Sequence, residues 1–254
     1  MTRKNFFWCV AVSLTSLIPY ASDIADLNLP IWLRFALLPL AEGMHYMEVF
    51  FHEPGHALCH WLFGTPALPV FDVVHGGGMT YSLGRSYALT AFIYALMFSG
   101  ILLLARAKRR RHAAFLAAFS ALHAILIYTG WDLFVTIIMG HGAEIIVGSA
   151  LLAAALSRPD LLKTRAERCV ALATGLHFFG RNALLCAGLL MNAAKRREYA
   201  MQKGIPGLGD YQHAGDVVGL PVEAVTAGML VFLLAAGALT CLYVRRRRFS
   251  VSSA

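Results

Sequence analysis

The stretch MHYMEVFFHEPGHALCHWLFG, residues 44–64, combines an apolar helical pattern with regularly spaced ionisable side chains. It contains the pattern His-Glu-x-x-His at His52, Glu53 and His56. Residues four apart share one face of an α-helix, so His52 and His56 can direct two imidazoles at one metal ion. Glu53 can then act as general base toward a water molecule on that ion. The stretch therefore predicts a helix with a zinc site, Zn²⁺ being the expected cofactor.

The ionisable face of this helix is longer than the motif. Residues at spacings of three and four form one stripe: Glu42, His45, Glu48, His52, His56 and His60. Ionisable groups at bilayer depth are costly and usually functional. We expect Glu48, one turn before His52, to accept the second ring N–H of a ligand histidine. His60 lies too far along the helix to reach the same ion, so we expect it beside the ligands or at the membrane interface. The alternative is a stripe that only packs helices and binds no metal.

The composition of the whole chain is that of a membrane protein. Of its 254 residues, 58% are hydrophobic and only 14% are charged, against about 25% charged in typical globular domains. Such a chain cannot cover itself with polar surface, and no polar linker divides it. We therefore expect residues 1–254 to form a single all-α, polytopic membrane domain with six to seven transmembrane helices.

The net charge of +8 is concentrated in short basic clusters at the ends of apolar segments, at residues 108–111, 195–197 and 245–248. This pattern is typical of helix ends beside anionic lipid, which makes membrane lipid an expected partner. No aromatic residues alternate with the basic ones, so nucleic acid is not expected to bind. The five cysteines are scattered and form no Cys-x-x-Cys pair. Together these features favour a bacterial inner membrane.

Along the chain the patterns divide into five segments: a signal anchor and loop (1–30), a metal helix and hairpin (31–85), core helices (86–194), a polar loop (195–220), and a last helix with a basic tail (221–254). The apolar run at residues 5–20 is either a cleaved signal peptide or a retained anchor. Residues 31–64 are too many for one simple crossing, so we expect Pro39 and Gly43 to break them into segments 31–41 and 44–64.

The segments after the metal helix alternate between apolar spans and turn signals. Two β-type runs, 70–74 and 79–83, flank the turn 75–78 and predict a β-hairpin. Four later apolar segments predict helices at 86–106, 113–139, 142–157 and 169–194, the second interrupted at residues 130–132. Residues 199–220 read as a loop or a short interfacial helix, and 221–244 as the last span.

Catalytic zinc usually takes three protein ligands and water, so a third ligand is needed. Glu144 is our first choice, with His141 three residues earlier as an alternative ligand or as its partner, and Asp132 as a further alternative. Glu144 could instead place its charge at a helix N-terminus, and Asp132 could neutralise Arg181. Three residues of the polar loop receive less weight because such residues are common in loops: Asp210, His213 and Asp216.

A polytopic chain with His-Glu-x-Gly-His in a hydrophobic helix, followed by a glycine-containing hairpin, resembles the site-two protease family of intramembrane zinc metallopeptidases. The stretch HEPGHALCHWLFG and the hairpin after it carry the resemblance. It implies that His52 and His56 are ligands, that Glu53 is the catalytic base, and that the hairpin guides an extended peptide. Two features depart from the family pattern. The chain has no Leu-Asp-Gly motif, Asp132 in Gly-Trp-Asp being nearest, and Pro54 within the motif lacks a backbone N–H.

The sequence thus predicts a membrane-embedded zinc metallopeptidase that hydrolyses peptide bonds of membrane or membrane-proximal substrates. The rival is a divalent-metal-binding membrane protein, either a transporter or a catalytically inactive homologue. A transporter should carry its ligands on two facing helices beside a path through the membrane. A peptidase needs the Glu53 base and an open coordination position.

Overall fold

The computed structural model describes residues 3–24, 27–72, 74, 77–158, 160–201 and 209–252. The structure is 82% helical, and the described residues form nine helices and one β-hairpin. In chain order the elements are α1 (Arg3–Ile24), α2 (Ile31–Leu62), β1 (Ala67–Asp72), β2 (Gly77–Ser82), α3 (Tyr87–Arg106), α4 (Arg110–Thr129), α5 (Trp131–Ser157), α6 (Arg165–Met191), α7 (Ala193–Ala200), α8 (Asp210–Val218) and α9 (Val222–Ser252). The expected all-α architecture with a hairpin after the motif helix is confirmed.

Six of the described helices are long and apolar enough to cross a bilayer: α1, α3, α4, α5, α6 and α9. The chain is accordingly a membrane protein. Helix α2, which carries the motif, is not one of the six, because its carboxylates, histidines and arginine lower its hydropathy. Its Glu48 and Glu53 are buried, and the helix packs chiefly against α5, with further contacts to α1 and the hairpin.

The expected break within residues 31–64 is wrong, because α2 is one continuous helix of 32 residues. Pro39 and Pro54 both lie inside it, and Gly43 does not interrupt it. A proline removes one backbone hydrogen bond, and the packing of α2 against α5, α1 and the hairpin is extensive enough to keep the helix continuous. At 1.5 Å per residue the helix is about 48 Å long.

The β-hairpin is present, but its strands begin and end earlier than expected. Strands β1 and β2 are antiparallel, and their register runs from Ala67 opposite Ser82 to Asp72 opposite Gly77. The expected turn at 75–78 is partly occupied by strand β2, and residues 75 and 76 lie outside the described part of the chain. Asp72, the last residue of β1, accepts a hydrogen bond from the backbone N–H of Val74 (3.0 Å), a local contact typical of aspartate where a strand enters a turn.

Residues 131–157 form the single helix α5, which corrects two expectations. The boundary lies at Gly130, whose left-handed backbone (φ 77°) ends α4 and precedes α5. The expected separate segment at 142–157 is the second half of α5, because Gly140 and Gly142 are both accommodated within the helix. Glu144 therefore lies in the middle of a helix, and the alternative that placed it at a helix N-terminus is wrong.

The segment 195–220 contains most of α7 and the whole of α8, so of the two expectations for residues 199–220 the structure has the short helix and not a continuous loop. Helix α8 packs against α5 and α9, and the side chains of Tyr211 and Ala214 are completely buried. A helix of nine residues gives little periodicity to recognise in a sequence. Its position brings its first residue, Asp210, toward the middle of α2.

The core lies between α5, α6, α8 and α9, with a second cluster where α1 meets α5 and α6. Half of the α6 span is buried, compared with 6% of α3 and 11% of α4. Helices α3 and α4 thus form a peripheral pair, whereas α2, α5, α6 and α8 enclose the polar residues described next.

Candidate metal centre

His52 and His56 lie one turn apart on α2 and direct their rings toward the same point. Their Nε2 atoms are 3.1 Å apart, and their ring centroids are separated by 4.7 Å. The spacing in the sequence predicted this arrangement, because the i and i+4 positions of a helix share a face.

The carboxylate of Asp210, at the start of α8, completes the group. Its Oδ2 atom is 2.9 Å from Nε2 of His52 and 3.3 Å from Nε2 of His56. Burial by itself raises the pKa of Asp210, but the neighbouring imidazoles outweigh burial and hold the pKa well below its usual value. A carboxylate binds a metal ion in its ionised form.

These three donor atoms have the spacing of ligands around one zinc ion. A zinc–nitrogen distance of about 2.0–2.1 Å places tetrahedral donors about 3.3 Å apart. The three observed separations lie between 2.9 and 3.3 Å. The three atoms therefore fit one small cation, and two nitrogens with one carboxylate oxygen form a set that zinc accepts.

The other nitrogen of each imidazole is engaged by the protein. Nδ1 of His52 is 2.6 Å from Oε1 of Glu144, and Nδ1 of His56 is 2.8 Å from the backbone carbonyl of Thr136. A neutral imidazole has a single proton. If it is held at Nδ1 by these acceptors, Nε2 of each ring presents a lone pair to the point shared with Asp210.

Glu144, our first choice for the third ligand, thus contacts His52 on the side of the ring away from His56. Glu144 is buried and also accepts a hydrogen bond from Asn182 (2.6 Å). His141 lies beside it, with Nδ1 3.3 Å from Oε2 of Glu144 and Nε2 3.9 Å from Asp210. His52, His141 and Glu144 form a second group of potential donors, but it shares His52 with the first group, and an imidazole with one proton cannot serve both.

Glycines allow α5 to approach the histidines this closely. A methyl group on Gly140 would overlap Nε2 of both His52 and His56. On the opposite helix, a methyl group on Gly55 would overlap Ala143 and the carbonyl of Met139. The glycine inside the His-Glu-x-Gly-His pattern is therefore required for helix contact, and Gly140 leaves the space between the two rings.

Glu53 is buried and faces the hairpin. The hydroxyl of Thr80, on β2, lies 2.8 Å from Oε2 of Glu53 and 2.9 Å from its backbone carbonyl. Glu53, His52 and Asp210 all line one cavity of about 280 Å³. Strand β2 forms part of its wall through Gly77 and Gly78. The structure therefore brings the expected base and two of the three converging donors to one enclosed space.

Glu48 is buried at the far side of this cavity and interacts with residues of α6. Its carboxylate lies 3.4 Å from Nε2 of His177 and 3.9 Å from Nε of Arg181, and 3.5 Å from Nδ1 of His45. The expected contact with a ligand histidine is made by Glu144 instead. The reason is that Glu48 lies on the part of α2 that faces α6 and α1.

The remaining expected residues lie outside the group of converging donors. Asp132 forms an ion pair with Arg85, just before α3, and so does not neutralise Arg181. The Arg181 guanidinium lies over the Tyr20 ring at 4.2 Å. His60 is half-buried, and in the described residues it belongs to neither group of potential metal ligands.

Asp210 was underestimated because its segment resembles a loop. Its carboxylate precedes Tyr211, Ala214 and Val218, which lie at helical spacings along one side of a short segment. That weak periodicity is the signal in the sequence that marks the start of a buried helix rather than a solvated loop.

No model of a known protein family matches the chain, and neither the curated proteins nor the solved structures include a match. The resemblance to site-two proteases therefore stays a prediction based on the motif and the hairpin.

Proposed function

We propose that this chain is a membrane-embedded zinc metallopeptidase that hydrolyses peptide bonds in membrane or membrane-proximal segments. The observation that carries the proposal is the convergence of His52 Nε2, His56 Nε2 and Asp210 Oδ2 within 3.3 Å of one another. A structural histidine stripe would not need this convergence, because buried imidazoles normally bond to separate partners.

The residues around the donors suit a catalytic rather than a closed metal site. Three protein ligands leave a fourth position for water, and the adjoining cavity supplies the space. Glu144 accepts the Nδ1 proton of His52, and the carbonyl of Thr136 accepts that of His56, so both rings are fixed in the tautomer that binds a metal. We assign Asp210 as the third ligand and Glu144 as the carboxylate that orients His52.

A zinc ion in this position would lower the pKa of a bound water molecule and polarise a peptide carbonyl. Glu53 takes the proton of the attacking water and returns it to the leaving amine. Glu53 and Glu144 are buried, and burial strengthens the electrostatic contribution of a charged group. Strand β2 has one unpaired edge in the two-stranded sheet, and an extended peptide can pair with such an edge.

The substrate class and the location follow from the surroundings of the site. The cavity is lined by residues of α2, α5 and α6, and both α5 and α6 are long and apolar enough to cross a bilayer, so we expect a substrate to approach from within or beside the bilayer. The basic clusters at the ends of several helices favour an anionic leaflet, and we place the protein in a bacterial inner membrane.

The test uses the full chain, purified and reconstituted into phospholipid vesicles. Zinc content is measured by mass spectrometry, and cleavage is measured on a pool of synthetic single-span transmembrane peptides. We expect about one zinc per chain, loss of zinc in Asp210→Ala, and full zinc without cleavage in Glu53→Gln. General-base catalysis contributes about 10²- to 10⁴-fold, so cleavage by Glu53→Gln should fall by that factor.

The rival function predicts a different pattern in the same vesicles. A transporter would move zinc across the bilayer and would keep that activity in Glu53→Gln, since the carboxylate is not a ligand. Zinc uptake without peptide cleavage would replace the peptidase proposal with the transport one. A chain without bound metal would refute both.

A further inference from the structure

The Thr80 hydroxyl makes two close contacts with one residue. It lies 2.8 Å from the Glu53 carboxylate and 2.9 Å from the Glu53 backbone carbonyl. A hydroxyl has one proton to donate. It therefore has a choice between two acceptors that belong to the same residue and lie at nearly the same distance.

Both contacts fix the Glu53 side chain relative to its own backbone. The Thr80 hydroxyl lies between the carboxylate and the carbonyl of the same residue, so it holds the carboxylate against strand β2.

The backbone of β2 also restricts where the Glu53 side chain can lie. A methyl group on Gly78 would overlap Cγ of Glu53 and would come within 2.9 Å of Cδ. The neighbouring Gly77 has no such contact, and a methyl group there would enter open space. Gly78 and Thr80 alternate with Met79, so they lie on the same face of the strand, the one turned toward α2.

Other contacts attach the hairpin to α2 independently of Glu53. The indole N–H of Trp61 donates to the carbonyl of Ala67 (2.7 Å), and the Phe50 and Phe71 rings stack at 5.8 Å. The hairpin is therefore held at its base and near its tip without Thr80. This leaves the Thr80–Glu53 contact available for a role beyond attachment.

We propose that Thr80 is the positioning residue of the general base, and that its hydroxyl holds the Glu53 side chain in place within the cavity. The inference rests on the proposed peptidase function. In the first step one proton leaves the attacking water for the Glu53 carboxylate, and in the second it passes to the leaving amine. Thr80 itself gains and loses nothing, and acts by keeping Glu53 in position.

The experiment measures kcat, KM and zinc content in vesicles with a transmembrane peptide that the full chain cleaves. Thr80→Val keeps the shape and strand propensity but removes the hydroxyl. A hydrogen bond to a charged group corresponds to about 10- to 100-fold in rate, so kcat should fall by that factor while KM and zinc stay unchanged. Thr80→Ser restores the hydroxyl and should recover most of kcat.

Two matched controls separate positioning of the base from attachment of the hairpin. Trp61→Phe loosens the base of the hairpin without touching Glu53, and should keep kcat within less than about tenfold of the parent. An equal loss of kcat in Trp61→Phe and Thr80→Val would overturn the inference. So would a Thr80→Ser variant as slow as Thr80→Val.

A second pair keeps the inference testable if Thr80→Val does not fold. Gly78→Ala should lose kcat because its methyl displaces Glu53, whereas Gly43→Ala, at an exposed position of α2 where a methyl group meets open space, should behave like the parent. Equal activity of the two would refute the role of β2. The Glu53→Gln variant is measured first. If this variant cleaves the peptide like the parent, the peptidase proposal itself fails. If Glu53→Gln is inactive while Thr80→Val is fully active, only the inference about Thr80 fails.

Discussion

Helix α2 meets buried imidazoles at several places, and two of these places differ in how the ring nitrogens are used. At its C-terminal end, His123 of α4 reaches the carbonyl of Leu62 with Nε2 (2.9 Å) and the hydroxyl of Tyr94 with Nδ1 (3.0 Å). The ring stacks on Phe63 at 4.9 Å. Each nitrogen thus has a partner of its own, as buried polar groups usually do.

In the middle of α2 the nitrogens converge. His52 and His56 each bond to the protein through Nδ1, and their Nε2 atoms face each other and the Asp210 carboxylate. Two lone pairs and a carboxylate at this distance repel one another in a protein interior unless a proton or a metal ion lies between them. The two regions therefore differ in whether the ring nitrogens have separate partners or converge on one point.

The largest expected effect comes from filling the space between the converging rings. Gly140→Ala would place a methyl group on Nε2 of both His52 and His56, so we expect zinc binding and peptide cleavage to be lost together. Gly142→Ala is the control on the same helix, because its methyl would meet only the flexible side chain of Met139. Zinc content per chain is measured for both variants, and full zinc in Gly140→Ala would contradict the convergent site.

A smaller effect is expected from the residue that orients one ring. Glu144→Gln keeps the size of the side chain but removes its charge beside His52, and changes of this kind cost about 10- to 100-fold in metal affinity. Competition with a chromophoric chelator measures the affinity. A complete loss of zinc would instead identify Glu144 as a ligand, as first predicted from the sequence.

Asp132→Asn is the matched control for Glu144→Gln. Asp132 is also a buried carboxylate of α5, but it pairs with Arg85. We therefore expect the Asp132→Asn variant to bind zinc with the same affinity as the parent. A loss comparable with that of Glu144→Gln would show that removing any buried carboxylate of α5 disturbs the site.

The sequence predicted the parts of the site that local geometry determines. The spacing of His52, Glu53 and His56 requires only a helix, and the hairpin follows from its strand and turn residues. The six candidate spans follow from hydropathy. Asp210 could not be selected with confidence, because its contact with His52 joins residues far apart in the chain and its helix is short. Likewise, the expected segments were divided next to Gly140, because the contact that requires a glycine there is made with His52 and His56 on another helix.

The smallest expected effect tests the histidine whose nitrogens are already paired. His123→Phe keeps an aromatic ring against Phe63 but leaves the Leu62 carbonyl and the Tyr94 hydroxyl without this partner. We expect a loss of about 1–3 kcal/mol in the free energy of unfolding, measured by denaturant titration in mixed micelles. Zinc content and kcat should not change, since His123 lies outside the group of converging donors. His112→Phe, at an exposed position of the same helix, should change stability by less than about 0.5 kcal/mol. If His123→Phe released zinc, the two imidazole regions would be energetically linked through α2. The distinction between a region whose ring nitrogens have separate partners and one whose ring nitrogens converge would then no longer hold.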